Sequence, residues 1–123
     1  MDEWESAAEI LTKAKERIEQ FGWQQGAANP VAVECMATAM ERAFKSMDKS
    51  LVEFDHAKEA LRRQIGKSYK ITEQSQSNDK NLSYWGQLFV QWNDEPERKV
   101  EEVIEAFESA ANLATQLSSS SDE

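Results

Sequence analysis

At 123 residues and a formal net charge of −9, the chain suits one acidic domain with its own hydrophobic core. Its single cysteine excludes an intramolecular disulfide, and one cysteine with one histidine cannot supply the ligands of a zinc site. The acidic start MDEWESAAEI does not fit a basic signal peptide, and no apolar run approaches the roughly 20 residues of a membrane span. We therefore expect a cytoplasmic protein with no membrane segment and no bound cofactor or metal.

The negative charge is concentrated towards the C-terminus. Residues 94–123 carry nine acids and two bases, whereas residues 22–93 carry eight acids and nine bases. This distribution makes nucleic acid an unlikely partner, because phosphates need a basic surface, and it favours solubility or a basic partner. A solvated helix face is the simplest interpretation, and an acidic mimic of nucleic acid is a weaker alternative.

Apolar residues at helical spacing predict a first helix over residues 4–21. The helix is expected to stop at Gly22, because glycine is a common terminating residue, and the loop GWQQGAAN follows. The predicted buried face consists of Trp4, Ala7, Ala8, Leu11, Ala14, Ile18 and Phe21.

Two further helices have predicted starts at capping residues. Asn29-Pro30 is expected to open the second helix, because asparagine is a good N-cap and proline fits the first helical position. The pattern Ser50-x-x-Glu53 is a capping box for the third helix, and Gly66 is expected to end it. The predicted buried faces are Val31, Cys35, Met36, Ala39, Met40, Ala43 and Met47 in the second helix, and Leu51, Phe54, Ala57, Leu61 and Ile65 in the third.

The helical pattern is interrupted after Gly66. Residues 67–81, KSYKITEQSQSNDKN, are polar, so we expect a mobile surface loop there. A short aromatic helix is predicted near residues 82–92, because apolar residues step by three and four through Leu82, Trp85, Phe89 and Trp92.

The last helix is predicted from Val100 to Leu117, where apolar residues again recur at helical spacing. Residues 118–123, SSSSDE, have no apolar content and are expected to be disordered. The sequence therefore predicts an all-α fold. It is a compact bundle of four or five helices in a single domain, residues 1–117, followed by a disordered acidic tail.

The stretch Trp92-Asn93-Asp94 joins the short aromatic helix to the last helix. Asp94 is expected to cap the last helix, with Glu97 as its capping-box partner and Pro96 in the first turn. Trp92 precedes the cap and can pack over the corner. We interpret the stretch as a structural corner, with a recognition or catalytic site as the alternative.

Three segments of the chain, GWQQG, CMATAMERA and WNDEPERKVEEV, resemble a known pattern. A family of small, uncharacterised helical proteins of actinobacteria and their phages carries a Gly-Trp-x-Gln-Gly turn, a Cys-Ala-x-Gly-Ala-like helix and a Trp-Asn-Asp-x-Pro-x-Arg-Thr-x-Glu-Glu-Val segment. The resemblance runs from about residue 8 to residue 115 and implies a helical fold and a phage or actinobacterial setting, with no activity to transfer. The matching residues are Gly22, Trp23, Gln25, Gly26, Cys35, Ala37, Ala39, Trp92, Asn93, Asp94, Pro96, Arg98, Glu101, Glu102 and Val103.

Two positions depart from that family's pattern. Lys99 stands where members usually have a threonine that would cap a helix, so the cap is expected to move to Asp94. Thr38 stands where a small glycine is usual, so the packing near Cys35 is expected to differ.

Two side chains invite a catalytic interpretation, but a structural one fits each better. His56 follows Asp55, and adjacent helical residues point about 100° apart, so they cannot form a dyad. Cys35 lies on a predicted apolar stripe, where a buried and inert thiol is expected. The sequence therefore predicts no catalytic, cofactor-binding or metal-binding residue.

The favoured function is a non-catalytic protein–protein interaction module, such as a phage-encoded modulator of a host protein. The alternative is a small enzyme or nucleotide-binding protein with a site between Trp23 and Trp92. A homo-oligomer is also compatible with the sequence. The candidate partner-binding residues are Trp23, Trp85, Trp92, Asn93 and Asp94, and a candidate basic patch consists of Arg62, Arg63, Lys67 and Lys70.

Overall fold

The computed structural model describes residues 2–23, 35–66, 89 and 91–121. Within these ranges four helices are present: α1 (Glu3–Phe21), α2 (Met36–Lys45), α3 (Leu51–Ile65) and α4 (Val100–Ser121). Residues 89 and 91–93 are also helical. The predicted all-α fold is confirmed. None of the helices in the described part of the chain is long and apolar enough to cross a membrane.

Helix α1 begins and ends where its sequence predicts. The Asp2 side chain accepts a hydrogen bond from the backbone N–H of Glu5 at 2.9 Å, which caps the first turn. At the other end, Gly22 adopts a φ of 92°, and its N–H donates to the carbonyl of Ile18 at 3.0 Å. Glycine reaches this backbone conformation without a steric penalty, so the predicted stop at Gly22 is confirmed.

The predicted start of the second helix is wrong. The helix that buries Met36 begins at that residue and not at Asn29-Pro30; residues 24–34 lie outside the described part. Cys35 is its N-cap, with extended backbone angles, and its Sγ accepts a hydrogen bond from the Thr38 N–H at 3.4 Å. The Thr38 hydroxyl lies 3.1 Å from the same sulfur. Cys35 is therefore half-buried at a helix start and does not lie on a buried stripe.

Helix α3 has the predicted capping box. Glu53 donates its backbone N–H to Ser50 Oγ at 3.2 Å, and the Glu53 carboxylate accepts from the Ser50 N–H at 2.7 Å. The predicted end at Gly66 is also confirmed. Leu51, however, is 70% exposed and does not belong to the buried face. The burial of α3 begins at Ala57, so its first turn extends beyond the core.

The core forms where α1 packs against the other three helices and α3 packs against α4. Buried alanines on all four helices, such as Ala14 and Ala110, let the backbones approach closely. The largest fully buried apolar side chains are Ile10, Leu11 and Ile18 of α1, Met36 and Met40 of α2, Leu61 and Ile65 of α3, and Val103 and Phe107 of α4.

Helix α4 continues past the predicted end of the domain. Residues 118–123 were predicted to form a disordered tail. This prediction is wrong for residues 118–121, which are helical, and residues 122–123 lie outside the described part. Ser118 is only 4% exposed, and its hydroxyl donates to Asp2 Oδ2 at 2.7 Å. This bond ties the last turns of α4 to the N-cap of α1, so these serines extend the helix in spite of their polar composition.

The predicted loop and most of the predicted aromatic helix lie outside the described residues. This applies to residues 67–81, with Lys67 and Lys70, and to Trp85. Of the aromatic helix near 82–92, the described residues Phe89, Gln91 and Trp92 are helical, and both aromatic side chains belong to the core.

Candidate functional site

The corner between residues 91 and 99 is organised around the buried side chain of Asn93, which has no exposed surface. Its Oδ1 accepts a hydrogen bond from Trp23 Nε1 at 2.6 Å and another from the Met36 backbone N–H at 3.0 Å. The Asn93 Nδ2 donates to Asp94 Oδ1 at 3.0 Å. One amide group thus joins Trp23, two residues beyond the end of α1, to the start of α2 and to the corner before α4.

Asparagine suits this position chemically. Its carbonyl oxygen can accept two hydrogen bonds while its nitrogen donates, and the group carries no charge into the core. The N–H of Met36 is one of the donors that the first turn of a helix leaves without an intrahelical partner. Asn93 therefore helps to set the start of α2 from a position 57 residues away.

Trp92 is the second buried side chain of the corner, with 5% of its surface exposed. The Arg98 guanidinium lies over its ring, with Cζ 3.6 Å from the ring centroid. Arg98 Nε also donates to the Trp92 carbonyl at 3.0 Å, and Arg98 Nη1 donates to Glu102 at 3.2 Å. Arg98 thus folds back over the corner and links it to the first turn of α4.

The predicted cap of the last helix is wrong. Helix α4 begins at Val100, so Lys99 occupies the N-cap position, and Asp94 is engaged with the Asn93 amide. The Glu102 carboxylate accepts from the Lys99 N–H at 2.9 Å, which is half of a capping box. A lysine side chain has no acceptor for the other half. Pro96 therefore precedes the helix and does not lie in its first turn.

The Glu102 carboxylate should stabilise the fold at neutral pH and lose that effect in acid. The Lys99 N–H holds the pKa of the Glu102 carboxyl below its usual value, and the charge of Arg98 acts in the same direction. A carboxyl group whose pKa is lower in the folded state than in the unfolded state stabilises the fold at pH values above its pKa in the unfolded chain. That stabilisation disappears as the pH falls through the folded pKa.

Urea unfolding of Glu102→Gln against the unchanged protein measures this effect. The variant should unfold at lower urea concentration at about pH 7, and the difference should narrow as the pH falls below about 4. Glu101→Gln, an exposed neighbour in the same turn, is the matched control. A difference that is independent of pH would contradict the role given to the Glu102 charge.

A small cavity of about 190 Å³ adjoins the corner between the end of α3 and the first turns of α4. Trp92 forms part of its wall, and its Nε1 is buried without a hydrogen-bond partner among the described residues. The other lining residues are Gln64, Ile65, Glu102, Glu105, Ala106 and Ser109.

A second, open cavity of about 370 Å³ lies between α1 and α4, with Met47 at one side. Its other lining residues are Ala8, Glu9, Thr12, Lys13, Glu16, Ala111, Asn112 and Thr115. Within the described ranges, no three His, Cys, Asp or Glu side chains are grouped as a metal site.

The structure brings together Trp23, Trp92, Asn93 and Asp94 of the predicted partner-binding residues. Trp92 and Asn93 face inwards, whereas Trp23 and Asp94 are half-buried. Aromatic density alone pointed to this region. The hydrogen bond from Trp23 to Asn93 spans 70 residues, and no local sequence signal predicts it.

The described part of the candidate basic patch is paired. Arg62 Nη2 and Arg63 Nε each lie 2.7 Å from Glu59 Oε2. The hydrogen bond from Arg62 is the main reason why the pKa of the Glu59 carboxyl is lowered. One carboxylate thus pairs with both guanidinium groups, because all three side chains share one face of α3, and the three together keep one net positive charge.

The two candidate catalytic side chains also have local partners. His56 packs edge-on against Trp4, with ring centroids 4.6 Å apart, and its Nδ1 lies 2.7 Å from the Val52 carbonyl oxygen. Cys35 acts as the N-cap described above. The sequence analysis placed Leu51 and Phe21 on buried helix faces, which is wrong, because their side chains are 70% and 43% exposed. It made no prediction for Val52, which is also exposed.

The fold and the corner define a small all-α bundle in which one buried asparagine joins three segments of the chain. The chain belongs to DUF6197, a family of unknown function, whose match covers residues 2–113. The match extends from the N-cap of α1 into α4 and includes the corner. The predicted membership of an uncharacterised family is thereby confirmed. No curated protein and no solved structure matches the chain.

Proposed function

We propose that this protein is a non-catalytic protein–protein interaction module that uses the start of α3 as part of its contact surface. The observation that carries this proposal is the exposure of two adjacent apolar residues. Leu51 is 70% exposed and Val52 is 53% exposed in the first turn of α3. Scattered apolar residues are common on protein surfaces, but a contiguous apolar patch is typical of an interaction site.

The neighbouring aromatic residues enlarge this surface. Phe54 lies three residues after Leu51, on the same side of α3, and stacks on Phe44 of α2 with ring centroids 4.3 Å apart. Both rings are only partly buried. Leu51, Val52, Phe54 and Phe44 form what we call the α3 surface. Because its aromatic residues are held by packing, the α3 surface presents apolar groups at little cost in side-chain entropy.

The sequence resemblance suggests the biological setting. A protein of actinobacteria or their phages with this surface fits a phage-encoded modulator that binds a host protein in the host cytoplasm. The excess of acidic residues in α4 favours a partner with basic groups.

The two alternatives have less support. A small enzyme or nucleotide-binding protein with its site between Trp23 and Trp92 needs space there, and the Asn93 amide occupies that region through its bond to Trp23. An acidic mimic of nucleic acid needs unpaired carboxylates along α4. Glu102 is paired with Arg98, and Glu108 lies 3.7 Å from Lys15.

A quantitative capture experiment tests the proposal. The tagged protein and the double variant Leu51→Ser/Val52→Ser are incubated with lysate of an actinobacterial host, and captured proteins are quantified by mass spectrometry. We expect a specific partner to be lost from the double variant by about tenfold or more, as for a binding hot spot. Both substitutions are exposed, so thermal unfolding should change little.

Phe21→Ser is the matched control, because Phe21 is the other large apolar side chain that is exposed in the described part of the chain. This variant should retain the partner. Full capture by the double variant, or equal loss in both variants, would contradict the role of the α3 surface.

A further inference from the structure

The charges around the α3 surface differ from those of the rest of the chain. Residues 41–58, which run from α2 through about two turns of α3, carry four acids and four bases. The rest of the chain carries the whole net charge of −9. Glu9 of α1, which bonds to Lys49 at 2.7 Å, adds one carboxylate to these surroundings. The α3 surface is therefore an apolar patch in a nearly neutral region of an acidic protein.

The charged groups that flank the α3 surface are already paired within one copy of the chain. Lys45 lies 2.7 Å from Glu41, and Lys58 lies 3.1 Å from Asp55. The Lys58 ammonium also lies over the Phe54 ring, 4.7 Å from its centroid. A protein placed against this patch does not have to supply a countercharge, so the patch favours an apolar and electrically neutral partner surface.

A second copy of this chain meets these conditions. Two copies that each carry a net charge of −9 repel one another where their acidic faces approach, so contact is favoured at a nearly neutral face. The α3 surface of another copy is itself apolar and nearly neutral, and it therefore matches the patch that it would cover. Contact between identical patches is the arrangement of a two-fold dimer, in which every contact occurs twice.

We propose that a second copy of this chain covers the α3 surface, with Leu51 of each copy packed on Leu51 of the other across a two-fold axis. This inference rests on the surface named in the proposed function and goes beyond it, because the dimer hides the groups that would bind a host protein. Partner binding through the α3 surface and self-association then compete for the same residues.

The size of the α3 surface sets the strength of the dimer. A standard interface buries about 800 Å² on each partner, and four apolar side chains, two of them partly buried already, supply less than that. The dimer should therefore be weak, with a dissociation constant in the micromolar range or above. The α3 surface is then accessible at low protein concentration and covered at high concentration.

Sedimentation equilibrium from micromolar to millimolar protein concentration tests the proposal. The unchanged protein should pass from monomer to dimer over this range. Leu51→Ser/Val52→Ser should raise the dissociation constant by about tenfold or more, because two strongly exposed apolar residues at the centre of the contact become polar. Phe21→Ser, the matched control at the end of α1, should dimerise like the unchanged protein. Circular dichroism verifies that each variant is folded.

Opposite charges at Leu51 test the two-fold arrangement directly. Leu51→Lys and Leu51→Glu should each stay monomeric alone, because a residue beside the two-fold axis faces its own like charge in the other copy. The equimolar mixture should associate more tightly than either variant alone, since a lysine then faces a glutamate. A mixture that stays monomeric would overturn the contact at Leu51.

Salt separates an apolar contact from one that charges hold together. Added salt screens the repulsion between two chains of the same net charge, so raising the ionic strength from about 0.05 to about 0.5 M should strengthen the dimer. Weakening by salt would mean that charge pairs join the copies, and it would overturn the proposal. A monomer at every concentration, or an equal loss of dimer in Phe21→Ser, would do the same.

The result is independent of the capture experiment, which is made with the tagged protein at low concentration. A protein that stays monomeric but captures a partner through Leu51 and Val52 overturns the self-association alone. A protein that dimerises through Leu51 but captures no partner dependent on the α3 surface overturns the binding of a host protein alone.

Discussion

Replacing Asn93 with alanine should lower the free energy of unfolding by about 2–4 kcal/mol, because two donors lose their acceptor together. The Met36 N–H is buried at the start of α2, and the Trp23 indole is half-buried. Each unsatisfied donor costs about 1–3 kcal/mol, with less at Trp23, which can reach water. Urea unfolding followed by circular dichroism measures the change.

Asp94→Ala is the control for the Asn93 experiment. Asp94 accepts from the Asn93 Nδ2 at 3.0 Å, but it does not cap α4, and its removal leaves both hydrogen bonds to Asn93 Oδ1 in place. We expect a loss of no more than about 1 kcal/mol. If the two alanine variants were equally stable, the buried amide would not be the group that holds the corner.

Replacing Trp92 with alanine should cost about 3–5 kcal/mol, the usual range for removing a large buried ring. Only 5% of the Trp92 side chain is exposed, so the substitution leaves a cavity in the core. It also removes the ring on which the Arg98 guanidinium stacks. Arg98 would keep its bond to Glu102, so the first turn of α4 should remain helical. The same urea experiment measures the effect.

Trp92→Phe separates the ring from its N–H group. Phenylalanine keeps much of the apolar contact and removes a donor that has no partner among the described residues. We therefore expect a cost below about 1.5 kcal/mol, as for other modest changes of core volume. A loss as large as that of Trp92→Ala would show that the indole N–H has an acceptor of its own.

The helix ends that depend on residues close together in the chain were predicted correctly from the sequence. The end of α1 depends on Gly22 alone, and the start of α3 depends on Ser50 and Glu53, which bond to each other. Each of these signals lies within four consecutive residues, and both predictions are confirmed. The all-α fold follows from the same kind of pattern, because helical spacing is visible in each segment.

Tertiary contacts decided the starts that were predicted wrongly. Asn29-Pro30 is a good local cap, but α2 begins at Met36, where Cys35 and the distant Asn93 both bind backbone N–H groups. Asp94-x-x-Glu97 matches a capping box better than Lys99-x-x-Glu102. The chain nevertheless uses the second position, and the Asp94 carboxylate accepts instead from the Asn93 amide, which is itself bonded to the distant Trp23 and Met36.

The candidate site was predictable only in outline. Aromatic residues near positions 23 and 92 indicated that these segments meet, and the hydrogen bond between Trp23 and Asn93 joins them. The cavity beside Trp92 also depends on Gln64 and Ile65 of α3, which are far from the corner in sequence. No periodic pattern encodes such a meeting of α3 with α4. The same limit explains why polar composition misled the prediction for Ser118, whose partner is Asp2.

The bonds of Asn93 have a consequence for the order in which the chain folds. They connect residues 57 and 70 positions apart, whereas each helix forms through bonds four residues apart. Closing a loop costs about 0.6 kcal/mol more for each doubling of its length, so contacts across such distances form after local ones. The hydrogen bonds of the corner should therefore form late in folding. Substitution of Asn93 should then raise the unfolding rate more than it lowers the folding rate. The lifetime of the native state, more than the rate of reaching it, would then depend on this one amide.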